Sequence, residues 1–144
     1  MQHVSVQQFI PAPPHAVWDQ YTDHVSWTHW AGLGKVHLER QGDPAPNGTG
    51  CVRIISSAGV SVAEEVLAFE IPKRMTYRIL RGGLPIKDHL GEVNFKAQDE
   101  GTLITWRCQF NSRIPGLGGI FQRVITYLFR SALRGLARLP HLQR

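Results

Sequence analysis

Residues 114–139 read IPGLGGIFQRVITYLFRSALRGLARL, and the spacing of apolar side chains within them decides the fold. Pro115 with Gly116, Gly118 and Gly119 ends a strand-like run. Beyond it Ile120, Phe121, Val124, Ile125, Leu128, Phe129, Ala132, Leu133, Leu136 and Leu139 recur at three- and four-residue intervals. That is the period of a helix with one broad apolar face. Arg123, Arg130, Arg134 and Arg138 fall on the opposite side of the wheel. At 1.5 Å per residue the stretch makes a helix of about 37 Å, and something of comparable length must cover its apolar face. What precedes it is mainly strand-like, so the helix is expected to lie across one curved antiparallel sheet.

Working back toward the N-terminus, residues 3–10 alternate through Val4, Val6, Gln8 and Ile10 as a first strand. Pro11, Pro13 and Pro14 stop it, because proline lacks the ladder donor and fixes φ. Proline also suits the first turn of a helix, and Val17, Trp18 and Tyr21 share one side of the short helix that follows. His24–Trp30 reads as a second short helix or helical turn, ended by Ala31-Gly32. From Gly34 the period changes to two. Strand-like runs cover residues 35–40, Cys51–Ser56, Val60–Phe69, Met75–Leu80, Ile86–Ala97 and Thr102–Phe110, separated by turn-forming segments such as GDPAPNGTG and Asp99-Glu100-Gly101. The reading is an α+β chain, a single domain over 1–144: one strand, two short helices, six strands in a meander and one long helix. If the sheet curls around the helix without collapsing onto it, a cavity remains between them.

Composition narrows the function classes. At 144 residues the chain is long enough to bury a core. It has no apolar run long enough for a membrane span, so stable membrane insertion is not expected. MQHVSVQQFI has neither the basic region nor the apolar core of a secretory signal. With only two cysteines, Cys51 and Cys108 in separate runs, the chain reads as cytoplasmic. The net charge of +5 would suit an anionic partner, but the basic residues are scattered apart from the arginine stripe on the last helix, and nucleic acid is not expected. The seven histidines show no metal-ligand spacing, and there is no H-E-x-x-H, no G-x-S-x-G elbow and no P-loop lysine. No metal and no cofactor is expected.

Four stretches in order carry a family resemblance. They are Ile10-Pro11-Ala12-Pro13 leading to Val17-Trp18, and Gly48-x-Gly50 followed by Arg53. Then come Glu64-Glu65-Val66 with Phe69-x-x-Pro72-x-Arg74-x-x-Tyr77, and Gly101-Thr102-x-x-x-Trp106 with Pro115-Gly116 and the final helix. The ordered set resembles the START-like (SRPBCC, helix-grip) superfamily, which includes the polyketide cyclase/dehydrase and lipid-transport proteins. The resemblance implies a curved seven-stranded antiparallel sheet wrapped around the C-terminal helix. It implies much less about activity, which belongs to the site.

Alternation along the strands nominates the site. Ile104, Trp106, Cys108 and Phe110 share the apolar face of the last strand, and Val93 and Phe95 the inner face of the one before. Continuing that parity puts His89 inside, unless a β-bulge intervenes. Pairing Phe69 with Met75 across the Pro72 turn points Glu65 inward and Glu64 outward, although which of the two faces the cavity stays open; Arg53 is the candidate partner of either. Trp30, Tyr77 and Trp106 are expected as aromatic walls, with Phe121, Ile125 and Phe129 closing the cavity from the helix.

The leading expectation is a module that encloses a hydrophobic or amphipathic small molecule: a lipid, polyketide or quinone-like compound. One alternative is a cyclase or dehydratase using His89 or Glu65 as general acid/base. Another is an interaction module docking through the arginine stripe. Oligomeric state is not legible.

Overall fold

The computed structural model describes residues 1–143; Arg144, the last residue of the expected domain, lies outside them. Seven strands, β1 Gln2–Ile10, β2 Lys35–Arg40, β3 Val52–Ser57, β4 Val60–Glu70, β5 Arg74–Gly82, β6 Ile86–Gln98 and β7 Gly101–Ser112, form one antiparallel sheet. Their order is β1-β7-β6-β5-β4-β3-β2, so the first strand lies beside the last and β2 ends the other side. Between β1 and β2 come α1, Pro14–Thr22, a 3₁₀ turn at His24–Ser26, and the single turn of α2, Trp27–Trp30. The long helix α3, Gly118–Ala137, completes a helix-grip arrangement over the curved sheet.

Local chemistry explains these boundaries. Pro14 sits in the first turn of α1, where its missing N–H has no helical partner to lose. Val17, Trp18 and Tyr21 are buried as one face, and Trp18 packs on Phe69 and Phe95 at ring centroid distances of 4.9 and 5.1 Å. Helix α3 spans 20 residues, or about 30 Å, shorter than the quoted stretch allowed. Residues 114–117 are spent on the turn out of β7, with Gly116 at φ +84°, a backbone state costly for other residues. Near its other end Gly135 meets the end of α2 so closely that a Cβ would stand 1.9 Å from the Trp30 carbonyl oxygen.

The buried face of α3 is narrower than its apolar stripe. Phe121, Ile125, Phe129, Ala132, Leu133 and Leu136 are buried, whereas Ile120 and Val124 are exposed and Leu128 is half-buried. The sheet closes against one side of the helix and stands off from the side that carries Val124 and Leu128. Arg123, Arg130, Arg134 and Arg138 are exposed, as the wheel implies. Leu133→Ala is therefore expected to destabilise the protein by about 2–5 kcal/mol, the range for a fully buried leucine. Leu128, which sequence alone places in the packed face, should cost clearly less on truncation because part of it already meets open space. Denaturant unfolding of both variants measures the difference, and equal losses would show the helix rotated from this setting.

Two irregularities in the β4–β5 ladder set the site. Phe69 pairs with Met75, but Ala68 pairs with Thr76 and Val66 with Tyr77, so Leu67 is an extra residue in β4. Further on Glu64 pairs with Ile79 and Ala63 with Arg81, leaving Leu80 extra in β5. Each extra residue reverses the phase of its strand.

Candidate functional site

The inner faces of β3–β7 and the side of α3 that the sheet leaves uncovered enclose a cavity of about 270 Å³. Its walls are overwhelmingly apolar. Ile55, Ile79, Ile86 and Cys108 come from the sheet, Ile125, Leu128 and Phe129 from α3, and Trp27 from α2. Val60 and Val124, both well exposed, mark the mouth.

Trp106 anchors this wall. It is 1% exposed, stacks on Phe129 with ring centroids 4.0 Å apart, and donates its indole N–H to the Tyr77 hydroxyl at 2.7 Å. The Tyr77 ring fits because its neighbour in β6 is Gly91: a Cβ there would lie 2.2 Å from Tyr77 Cζ. Burial pushes the Tyr77 hydroxyl well above the ordinary phenol range, so it stays protonated.

Behind the wall lies a buried ion pair. Arg53 of β3 stands opposite Glu64 of β4 in the ladder. Its Nε donates to Glu64 Oε1 at 2.9 Å; Nη2 is 2.9 Å from the same oxygen without hydrogen-bond alignment. The guanidinium is wholly buried between two rings, its Cζ 4.3 Å from the Trp27 centroid and 4.6 Å from that of Tyr77, a cation–π sandwich. Burial disfavours the charge on Arg53, but the Glu64 carboxylate more than restores it, and its pKa rises. Arg53 Nη1 and Nη2, Tyr21 Oη and His24 Nε2 have no hydrogen-bond partner among the described residues.

His89 lines the cavity, and its Nδ1 accepts the backbone N–H of Ile79 at 3.2 Å. That bond places the proton of the neutral ring on Nε2. Burial lowers the His89 pKa, opposed by Glu64 and reinforced by Arg53, so the imidazole is neutral near pH 7. Burial, helped by Glu64, pushes the Cys108 thiol up to about 12, which makes it a poor nucleophile. No group of three or more His, Cys, Asp or Glu among the described residues is arranged to hold a metal ion.

Of the residues nominated from sequence, Tyr77, His89, Trp106, Ile125 and Phe129 border the cavity, while Trp30, Glu65, Val93 and Phe121 do not. Glu65 is a correction. It points to the outer face, where Arg40 Nη2 reaches its Oε2 at 2.7 Å and Arg78 Nε its Oε1 at 2.9 Å; Glu64 takes the inner place because Leu67 shifts the phase of β4. Trp30 turns to Ser26, donating its indole N–H to the hydroxyl at 3.0 Å, and Trp27 takes the wall position instead. Val93, paired between Met75 and Trp106, is fully buried core, and Phe121 is buried near the start of α3 beyond the cavity. No sequence signal separates Trp27 from Trp30, which share a helix face, or Glu64 from Glu65, since Arg53 could partner either glutamate.

Residues 1–139 match the family model described as polyketide cyclase/dehydrase and lipid transport. No curated protein sequence matches the chain. Among solved structures, protein XoxI from Bacillus cereus superposes with a TM-score of 0.79 at 17% identity, over 96% of this chain and 94% of that one. A protein from Thermobifida fusca gives 0.80 at 19% identity, over 95% and 91%. A START superfamily protein from Mycobacterium smegmatis gives 0.78 at 9% identity, over 94% of each chain. At these identities the likeness is one of fold.

Proposed function

Since this chain belongs to the polyketide cyclase/dehydrase and lipid-transport family, we propose that it binds a hydrophobic or amphipathic small molecule between the sheet and α3. The observation that carries this reading is the apolar cavity of about 270 Å³, with polar groups confined to a few places on its wall. Cavities of that kind gain affinity from apolar burial and orientation from isolated polar contacts. The volume is at the low end for a ligand pocket, which favours a compact ring system or one end of a longer molecule. Trp106, Tyr77 and Phe129 supply flat contact surface; Glu64 and His89 supply polarity. Ligand enters past Val60 and Val124. The two buried, unpaired cysteines agree with a reducing, cytoplasmic setting.

The test is direct. Native mass spectrometry of the protein purified from its own host should retain a small molecule, or the purified protein should bind an apolar fluorophore with a change in tryptophan emission. Ile125→Trp, which adds bulk to the α3 wall, is expected to weaken fluorophore binding by about ten-fold or more, a loss of at least 1.4 kcal/mol. It should leave the folded circular-dichroism spectrum intact. Unchanged affinity in a folded Ile125→Trp protein would place the binding site elsewhere.

A further inference from the structure

Of the polar side chains that border the cavity, which include Ser57, Ser61 and Tyr77, Glu64 and His89 set the charge that a ligand meets. Glu64 Oε1 is committed to Arg53, whereas Oε2 has no hydrogen-bond partner among the described residues. Glu64 borders the cavity and keeps 11% of its side chain accessible. Arg53 has no exposed surface and does not border the cavity, so the pair presents its negative end to the ligand. Among the described residues no lysine or arginine lines the walls, and His89, held neutral by burial, supplies no counter-charge.

We infer that the cavity selects an uncharged apolar molecule carrying a hydroxyl group, an alcohol or a phenol, whose O–H donates to the free oxygen of Glu64. A ligand carboxylate would set a second anion beside Glu64 with the Arg53 counter-ion on the far side, in a setting where unpaired charge is costly. A ligand ammonium would add positive charge to a carboxylate that Arg53 already balances. A hydroxyl brings no charge and makes a charge-assisted hydrogen bond. His89 lies in the same wall with Nε2–H as its remaining donor for a ligand oxygen.

This assignment rests on the cavity being the ligand site, and the experiment separates the two claims. Naphthalene, 2-naphthol, 2-naphthoate and 2-naphthylmethylammonium, similar in shape and different in charge, are titrated calorimetrically into the protein near neutral pH. The expected result is 2-naphthol bound about ten-fold or more tightly than each of the other three, as a hydrogen bond to a charged group allows. In Arg53→Met/Glu64→Gln, which removes both charges together, the advantage of 2-naphthol over naphthalene should shrink to a few-fold and the penalty on the acid should fall. Glu64→Asp, which withdraws the carboxylate by one methylene, gives the same readout if the double variant does not fold. Naphthalene binding with no preference for the phenol overturns the hydroxyl assignment and leaves the cavity reading standing. A preference that survives both variants removes Glu64 as its source. Binding of none of the four overturns the cavity reading, and the assignment with it.

Discussion

Arg53→Met is expected to destabilise the protein by about 3–5 kcal/mol, the range for breaking a buried ion pair from one side. Arg53 is fully buried, and Glu64 is 9% exposed with Arg53 its only ion-pair partner among the described residues. Methionine retains much of the bulk of the side chain, so the loss isolates charge from volume. It leaves Glu64 without its counter-ion and strips the cation from between Trp27 and Tyr77. The companion variant Arg53→Met/Glu64→Gln should recover most of the loss, since removing both charges also removes the cost of holding them out of water. Urea unfolding of the parent and both variants measures the cycle. A single variant within about 1 kcal/mol of the parent would mean that water in the cavity hydrates Glu64 well enough to stand in for Arg53, and that the pair behaves as an exposed one.

Trp106→Ala should cost about 3–5 kcal/mol, as expected for truncating a buried aromatic side chain. The indole is in contact with Phe129, Tyr21 and Trp27, at ring centroid distances of 4.0, 5.3 and 5.6 Å. Its removal opens space contiguous with the existing cavity. The variant should therefore be less stable yet accept a bulkier apolar ligand than the parent does. Trp106→Phe separates the two contributions. It keeps an aromatic face against Phe129 and gives up the hydrogen bond to Tyr77, a net loss of about 0.5–1.5 kcal/mol from the bond itself. Thermal and denaturant unfolding give the stabilities, and probe titrations give the size preference. A Trp106→Ala protein with unchanged stability would show that this wall is not packed as described.

The fold was legible because it rests on periods that survive local irregularity. The three-and-four spacing of α3 and the alternation of β7 run without interruption, and both elements form where those patterns lie. The site was less legible because it depends on phase. From the Phe69–Met75 pair, an unbroken ladder carries Glu65 to the inside; one extra residue, Leu67, gives that place to Glu64. Nothing in the composition of β4 marks Leu67 as the irregular position. The choice between Trp27 and Trp30 failed for a related reason. They lie nearly one helical turn apart on α2, so spacing puts them on a common face and only the direction of that short helix decides which meets the cavity. The parity that led to His89 held because, counted back from Val93, it meets the irregularity between Leu90 and Lys87 only at His89 itself. Beyond it the phase changes, and Ile86 rather than Lys87 lines the cavity. Leu128 and Val124 repeat the lesson on α3: the apolar stripe identified the helix face, but not how much of it the sheet would cover.

The strand order has a consequence for the protein in crowded solution. A sheet that does not close on itself has two edges, and each invites a strand from another copy. Here one edge is β1, with α3 packed along it and the Gln122 amide donating to the His3 carbonyl at 3.4 Å. The other is β2, six residues long, with an irregularity between Leu38 and Arg40 and with Lys35, Glu39 and Arg40 exposed. A short, bent and charged margin offers an incoming strand little continuous ladder. The protein can therefore keep a cavity open inside its sheet without leaving an adhesive border outside it.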